Sequence, residues 1–369
     1  MARSSGSSEN SPTIDRILAQ AERLRERSSY RQALALLRKA KRAAEKQDDG
    51  GRLMSSLLSL GDVCRMVGDF DHSVENYSRA ITLASQTRDR IILADAQVGL
   101  GLALRAQGNW REALRFIGRS KKFYEKQGDR HGVAFALWAE AGALRIKGDV
   151  GQAFSKFREA YKAFRSLGDI QGIGYSLCGL GGSSRIMGNA RKSLRFYREA
   201  NAVFSTLRDT FGKAYSYCGI GNAYRMLEDY QNSFAHFEKA VRLYKKIGDI
   251  VSYAYTLWGL GTARKMTGDY GRARDLFVQA LKLFSKTKDP RGMIYCRLGS
   301  GEIALLRNRP APARQDLSFA FRESQKRQFA VEHCFAETLQ SLMDGKQDRR
   351  CYNKLGLKLN FRGLPLNIP

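Results

Sequence analysis

A landmark glycine repeats at a fixed interval of 40 residues through this chain, and no other feature narrows the fold so far. Gly61, Gly101, Gly181, Gly221 and Gly261 each follow a leucine or isoleucine; Ala141 stands in the missing place, and Gly301 extends the series behind Ser300. Other columns keep the same register. A small residue recurs from Ala33 to Ala313 and another from Ala40 to Ala320. Between them runs a large apolar column: Leu37, Tyr77, Ile117, Phe157, Tyr197, Phe237, Phe277 and Leu317. Aspartate marks one turn from Asp49 to Asp289, and Gly-Asp or Gly-Asn marks another, as at Gly68-Asp69 and Gly188-Asn189.

Small, large and small residues at offsets of four and three share one helix face, where alanine lets a neighbouring helix approach closely. Gly-Asp and Gly-Asn steps supply a left-handed turn residue and then a cap for the next helix. One helical hairpin cannot bury its own apolar face, so the units must stack on one another.

The order of signals in each unit resembles the tetratricopeptide repeat: LG or IG, then GD or GN with a following aromatic such as Phe70, Trp110 or Tyr270, then small–aromatic–small. The usual unit is about 34 residues. The longer period here resembles the extended-helix subclass of Pins-class spindle-orientation adaptors and kinesin light chains. The resemblance spans residues 14–333 as about eight units. It implies an all-α, right-handed superhelical solenoid of antiparallel helix pairs whose concave face holds a partner. The first unit lacks the LG pair and the eighth breaks at Asn308-Arg309-Pro310, as terminal caps do. Around this array we expect a disordered segment at 1–13, a capping helix at 334–345 and an extended basic and apolar tail at 346–369.

With Gly181 counted as position 8 of a unit's first helix, positions 2, 5, 6, 9, 12 and 13 cluster on one side. The resemblance assigns that side to the concave groove. Position 2 is aromatic (Phe135, Tyr175, Tyr215, Tyr255, Tyr295) and position 12 is basic (Arg65, Arg105, Arg145, Arg185, Arg225, Lys265). Trp138 and Trp258 share position 5 with Cys178 and Cys218, and Asn222 stands at position 9. Position 6 carries Gly99, Gly179, Gly219, Gly259 and Gly299. Each interior glycine costs about 1 kcal/mol against alanine, so something must approach the backbone there, the adjacent helix in preference to a ligand. The aromatic ladder either packs on the next helix or lines a half-wet surface, and the tyrosine hydroxyls favour the second. The arginines either complement the helix dipole and pair with the aspartate four residues on, or bind a ligand. A local pair contributes only about 0.3–0.5 kcal/mol, too little to require arginine so uniformly, and the ligand reading is favoured.

A net charge of +27 and a pI near 10.0 suit acidic or anionic partners, although a generally basic surface would give the same sum. Cys64, Cys178, Cys218, Cys296, Cys334 and Cys351 form no CxxC pair, and the four histidines have no zinc spacing. Free, mostly buried thiols in a reducing, cytoplasmic setting are therefore expected, with no metal and no cofactor. The serine-rich start MARSSGSSENSPT has no signal-peptide core, and no apolar run is long enough to span a bilayer. The stretch from Gly179 to Ser184 imitates a phosphate loop but lacks its lysine and a preceding strand. His333-Cys334 has no partners for catalysis, and no carboxylate pair stands apart from the turns, so an enzyme is not expected.

In the tail, Leu355, Leu357, Leu359 and Phe361 alternate with polar or small residues like a strand. The tail would cover the exposed end of the solenoid or, alternatively, dock on another protein or on a second copy of this chain. Three functions follow from these features. The first is a non-catalytic protein-interaction adaptor gripping an extended acidic or acidic–aromatic segment in the groove. The alternative is RNA or single-stranded nucleic acid held by tyrosine stacking and arginine–phosphate contacts. The third is a sensor or carrier of a small anionic amphiphile.

Overall fold

Each 40-residue unit folds as a pair of helices. A computed structural model describes residues 11–346, 350–358 and 363–368. The pairs are α1 (Ser11–Glu26) with α2 (Tyr30–Lys46), α3 (Gly50–Met66) with α4 (Phe70–Gln86), and α5 (Arg90–Ala106) with α6 (Trp110–Gln127). They continue with α7 (Arg130–Lys147) and α8 (Val150–Leu167), α9 (Ile170–Ile186) and α10 (Ala190–Thr206), and α11 (Thr210–Met226) and α12 (Tyr230–Ile247). The array ends with α13 (Ile250–Met266) and α14 (Tyr270–Thr287), α15 (Pro290–Leu306) and α16 (Pro310–Arg327), capped by α17 (Ala330–Met343) and the short α18 (Arg350–Lys354). Consecutive helices pack on one another throughout, which makes the chain an all-helical solenoid with no strand among the described residues. Of the 1–13 segment, residues 1–10 lie outside the described residues, and α1 begins at Ser11.

The two turn signals do different work. Each aspartate of the 40-residue column caps the first helix of a unit, accepting from the backbone N–H two or three residues on: Asp169 from Gly172 at 2.7 Å, Asp209 from Gly212 at 2.9 Å, Asp289 from Gly292 at 3.0 Å. The glycine of each Gly-Asp or Gly-Asn step takes the left-handed conformation that ends the first helix, with φ between +80° and +105° at Gly68, Gly108, Gly148, Gly188 and Gly268.

Packing within and between units comes from one repeated contact. The large residue of a second helix lies between two glycines of two successive first helices. A Cβ at Gly61, Gly181, Gly221 or Gly261 would come within 2.7–2.9 Å of the ring of Tyr77, Tyr197, Phe237 or Phe277 in its own unit. The position-6 glycines meet the rings of this column from the next unit: Gly99 meets Tyr77, Gly179 meets Phe157, Gly219 meets Tyr197, Gly259 meets Phe237, and Gly299 meets Phe277. The helix, not a ligand, is what approaches those backbones. A second set of contacts, not read from the sequence, places Phe164, Phe204 and Phe284 on Gly172, Gly212 and Gly292.

The solenoid curves tightly enough to meet itself. The turn at Gly68 packs on Val251 and Thr287, the turn at Gly108 on Phe329 and Pro290, and the turn at Gly148 on Ala330. Trp110 Nε1 donates to the carbonyl of Arg327 at 3.2 Å, and Lys288 pairs with Asp71. Tyr30, Ala33 and Leu37 share an apolar cluster with Ala240, Tyr244 and Ile247. This seam closes a channel inside the coil. It also buries Asp249, the cap of α13, leaving 3% of it exposed. Burial raises its carboxyl pKa to about 6.

The C-terminal region departs from expectation twice. Residues 350–354 are helical, and α18 is held on α17 by a disulfide between Cys334 and Cys351, with Cα atoms 5.5 Å apart. The expectation of free thiols is corrected for this pair. The two cysteines are 17 residues apart and meet only because the chain folds back after α17, which a search for local cysteine motifs does not see. Cys64, Cys178, Cys218 and Cys296 are free. Leu359 and Phe361 of the strand-like stretch lie outside the described residues. Among the described residues no helix is long and apolar enough to cross a membrane.

Two outcomes are expected from thermal and denaturant melts followed by circular dichroism. Gly219→Ala should destabilise the fold by about 1–3 kcal/mol through collision with Tyr197, although alanine favours helix by about 1 kcal/mol. Gly271→Ala in α14, with nothing near a Cβ, should instead gain up to about 1 kcal/mol. Asp249 has a folded pKa above its ordinary value of 3.8, so its contribution is fully present below pH 3.8 and lost as pH rises through 6. Asp249→Asn should match wild type at the acid end and exceed it by about 3 kcal/mol above pH 6.

Candidate functional site

The odd-numbered helices turn the predicted groove face into the closed channel. There they enclose a cavity of about 280 Å³ whose lining includes Arg105, Arg145, Arg185, Tyr215, Cys218, Asn222, Tyr255, Trp258 and Tyr295. Arg105, Arg145 and Arg185 are held there because position 12 falls in the last turn of each first helix, facing the position-9 column of its own or the next unit.

Position 9 divides the basic ladder into three parts. At the N-terminal end, Arg65 reaches Asp62 Oδ1 at 3.4 Å, and Tyr77 donates to the same oxygen at 2.8 Å. At the C-terminal end, Lys265 forms a fully buried pair with Glu302. Between them position 9 reads Leu102, Gly142, Gly182, Asn222 and Thr262, which carry no charge. The guanidinium of Arg105 occupies the space a side chain at Gly142 would fill and lies 5.6 Å from the Trp138 ring centroid. Arg145 occupies the corresponding space at Gly182 and lies over Phe157. Nε and Nη1 of Arg185 are buried with no acceptor. Burial and the neighbouring charges of Arg145 and Arg65 push the Arg105 guanidinium down to about 10. The fifth member, Arg225, is fully buried and held by the tail: its Nη2 donates to the carbonyl of Ile368 at 2.7 Å and its Nη1 to the side chain of Asn367. Burial and the like charge of Arg185 push it down to about 9.

The turn aspartates are not the partners of this ladder among the described residues. Asp149 pairs with Lys147, and Asp269 with Arg264 and Arg272.

The aromatic ladder is also divided. Tyr175 donates to Asp209 Oδ2 at 3.0 Å and packs on Phe204. Tyr255 packs edge-on to Phe284, and Tyr295 donates to Glu332 Oε1 at 2.6 Å. Tyr215 faces the cavity and stacks on Phe211. Phe135 lies apart, in a separate depression with Asp95, Asp129 and Asp169, and stacks on Trp138. Trp258 is buried between Tyr295 and Arg225.

Two groups at the site escaped the sequence reading. Glu302 is a lone carboxylate in the apolar run of α15, aligned one unit beyond Lys265; a charge in such a run is the signal that could have found it. Residues 366–368 carry no signal of their own, because their role is set by where the chain returns. The stretch from Gly179 to Ser184 is buried helix interior, and no group of three or more metal-ligating side chains occurs among the described residues. Burial pushes the thiols of Cys178 and Cys218 upward, away from the thiolate form.

A family model of the tetratricopeptide repeat matches residues 92–166, 172–246 and 212–286, just over half of the chain. No curated protein sequence matches. Among solved structures, the chain is similar to a Rap protein complexed with competence and sporulation factor, with TM-score 0.66 and 14% identity over 93% of this chain and 96% of that one. It is similar to NprR in complex with its cognate peptide NprX, with TM-score 0.55 and 14% identity over 90% and 99%. It also resembles aspartyl phosphate phosphatase F from Bacillus subtilis, with TM-score 0.52 and 12% identity over 99% and 100%. At these identities the likeness is one of fold. The repeat register, the interlocked helix pairs and the matched family model agree, and the chain belongs to the tetratricopeptide repeat family.

Proposed function

We propose that this protein is a non-catalytic adaptor that holds an extended partner segment inside the channel. Acidic groups of that segment meet Arg105, Arg145 and Arg185, and its flat or apolar side chains lie against Trp138, Tyr215 and Trp258. The observation that carries this reading is the run of three inward guanidiniums facing neutral position-9 residues while both ends of the ladder have carboxylates. Half-buried cations without counter-ions lose part of their hydration uncompensated, and a carboxylate-bearing ligand would offset that cost through bidentate contacts. One of the similar structures holds its cognate peptide NprX, and another is complexed with competence and sporulation factor; the first supports a peptide as occupant. The aspartyl phosphate phosphatase relative does not lead us to a reaction. The channel's thiols are held protonated, and its carboxylates are tied to Lys265, Arg291 and helix caps.

Nucleic acid is the weaker match. Tyr175, Tyr255 and Tyr295 are occupied by Asp209, Phe284 and Glu332, which leaves Tyr215 to stack on bases. Pull-down with wild type beside an Arg105→Glu, Arg145→Glu, Arg185→Glu variant, reading protein and nucleic acid together, tests the choice. A defined protein with an acidic segment should be captured by wild type and lost in the variant. Nuclease-sensitive capture with steep salt dependence would replace the adaptor reading with the nucleic-acid one, and equal capture by both would overturn the groove assignment.

The two kinds of arginine should also separate in stability. Arg185→Met removes a cation without acceptors and should raise stability by about 1 kcal/mol or more. Arg225→Met strips partners from Asn367 and Ile368 and should lower it by about 2–3 kcal/mol. Chemical denaturation of the two variants beside wild type gives both signs.

A further inference from the structure

We infer that Arg225, Lys265 and Glu302 form a clamp that reads the main chain of an extended, uncharged peptide segment, and that residues 363–368 of this chain are its occupant in cis. The segment meets the clamp through main-chain groups two residues apart. Lys265 Nζ donates to the carbonyl of Leu366 at 2.8 Å, and Arg225 Nη2 donates to the carbonyl of Ile368 at 2.7 Å. The N–H of Leu366 donates to Glu302 Oε1, and Glu302 Oε2 accepts from Lys265. Between these two residues the Asn367 side chain both gives and takes, donating to the Arg225 carbonyl at 2.9 Å and accepting from Arg225 Nη1. The flanking side chains, Leu366 and Ile368, are buried in the apolar cluster that contains Ile186, Trp258 and Tyr295. This is the pattern of an extended ligand, with polar contacts on the backbone and alternate side chains in an apolar floor.

An empty clamp would leave a guanidinium, an ammonium and a carboxylate buried and short of partners, so this stretch of the channel is built to be filled. Its charge also differs from the stretch proposed for acidic groups. Gly363 to Ile368 carry no ionisable side chain, and the clamp offsets one of its two cations with Glu302. The route of the segment is fixed at two earlier points. Cys351 ties α18 to Cys334, and the carbonyl of Lys358 lies where a side chain at Gly188 would sit. Such a tether gives the segment a high effective concentration at the clamp, and any partner spanning the whole channel must displace it. The inference does not depend on what the three uncompensated arginines bind.

The probe is a fluorescent, end-capped synthetic peptide of residues 363–368, read by anisotropy. The full-length Leu366→Asp, Ile368→Asp variant should expel its own segment and bind the peptide at least about tenfold more tightly than wild type. Adding Lys265→Met should weaken that binding about tenfold or more. No uptake by an expelled-tail variant with wild-type helicity and melting temperature would overturn the proposal. If that variant melts early, hydrogen exchange on the intact wild type decides: protection of the Leu366 amide that is lost in Glu302→Met supports the clamp, and free exchange of that amide in wild type overturns it. Failure of the neutral peptide leaves the acidic-segment reading standing, and failure of acidic capture leaves the clamp standing.

Discussion

The interlock between one large side chain and two glycines governs the rest of the molecule. Tyr197 fits between Gly181 of its own unit and Gly219 of the next, and the same relation holds around Tyr77, Phe237 and Phe277. A ring pressed on bare backbone sets the distance between helices at both contacts. It therefore fixes the geometry within a unit and the step between units together. Glycine in a helix interior is unfavourable by itself, and the dispersion contacts of a ring against two backbones offset that cost. Because each contact is repeated at 40-residue spacing, small errors in the step cannot average out, and the curvature accumulates until the coil meets itself at Gly68, Gly108 and Gly148.

That closure changes what the inner face is. An open solenoid would leave Arg105, Arg145 and Arg185 in water, where a column of cations costs little. Inside a closed channel the same side chains lose hydration and repel one another. The chain answers this in three ways along one column: a carboxylate at Asp62, a carboxylate at Glu302 with the returning tail, and nothing in the middle. The middle is where an outside ligand has an electrostatic reason to enter, and the distal end is where the protein already supplies its own peptide.

Legibility differed between these parts. The basic column at position 12 could be read from spacing, and so could Trp258, Tyr215 and Asn222 as channel residues, because a helix of regular geometry places equally spaced residues on one face. The division of the column could not, because the partner of Lys265 lies in the following unit and the partners of Arg225 are more than 140 residues away. The tyrosine column illustrates the opposite case. Its hydroxyls suggested a wet surface, yet Tyr175 and Tyr295 direct theirs to Asp209 and Glu332, carboxylates whose position depends on how the next unit stacks.

By itself the sequence determined the helices, their caps, the period and the faces that pack, since all of these depend on residues within one unit or its neighbour. The tertiary structure alone decided the closed seam, the burial of Asp249, the pairing of Cys334 with Cys351 and the return of Leu366 to Ile368 into the channel. Those features join residues that local spacing does not relate. They follow from the summed rotation of many nearly identical steps, which no single unit encodes.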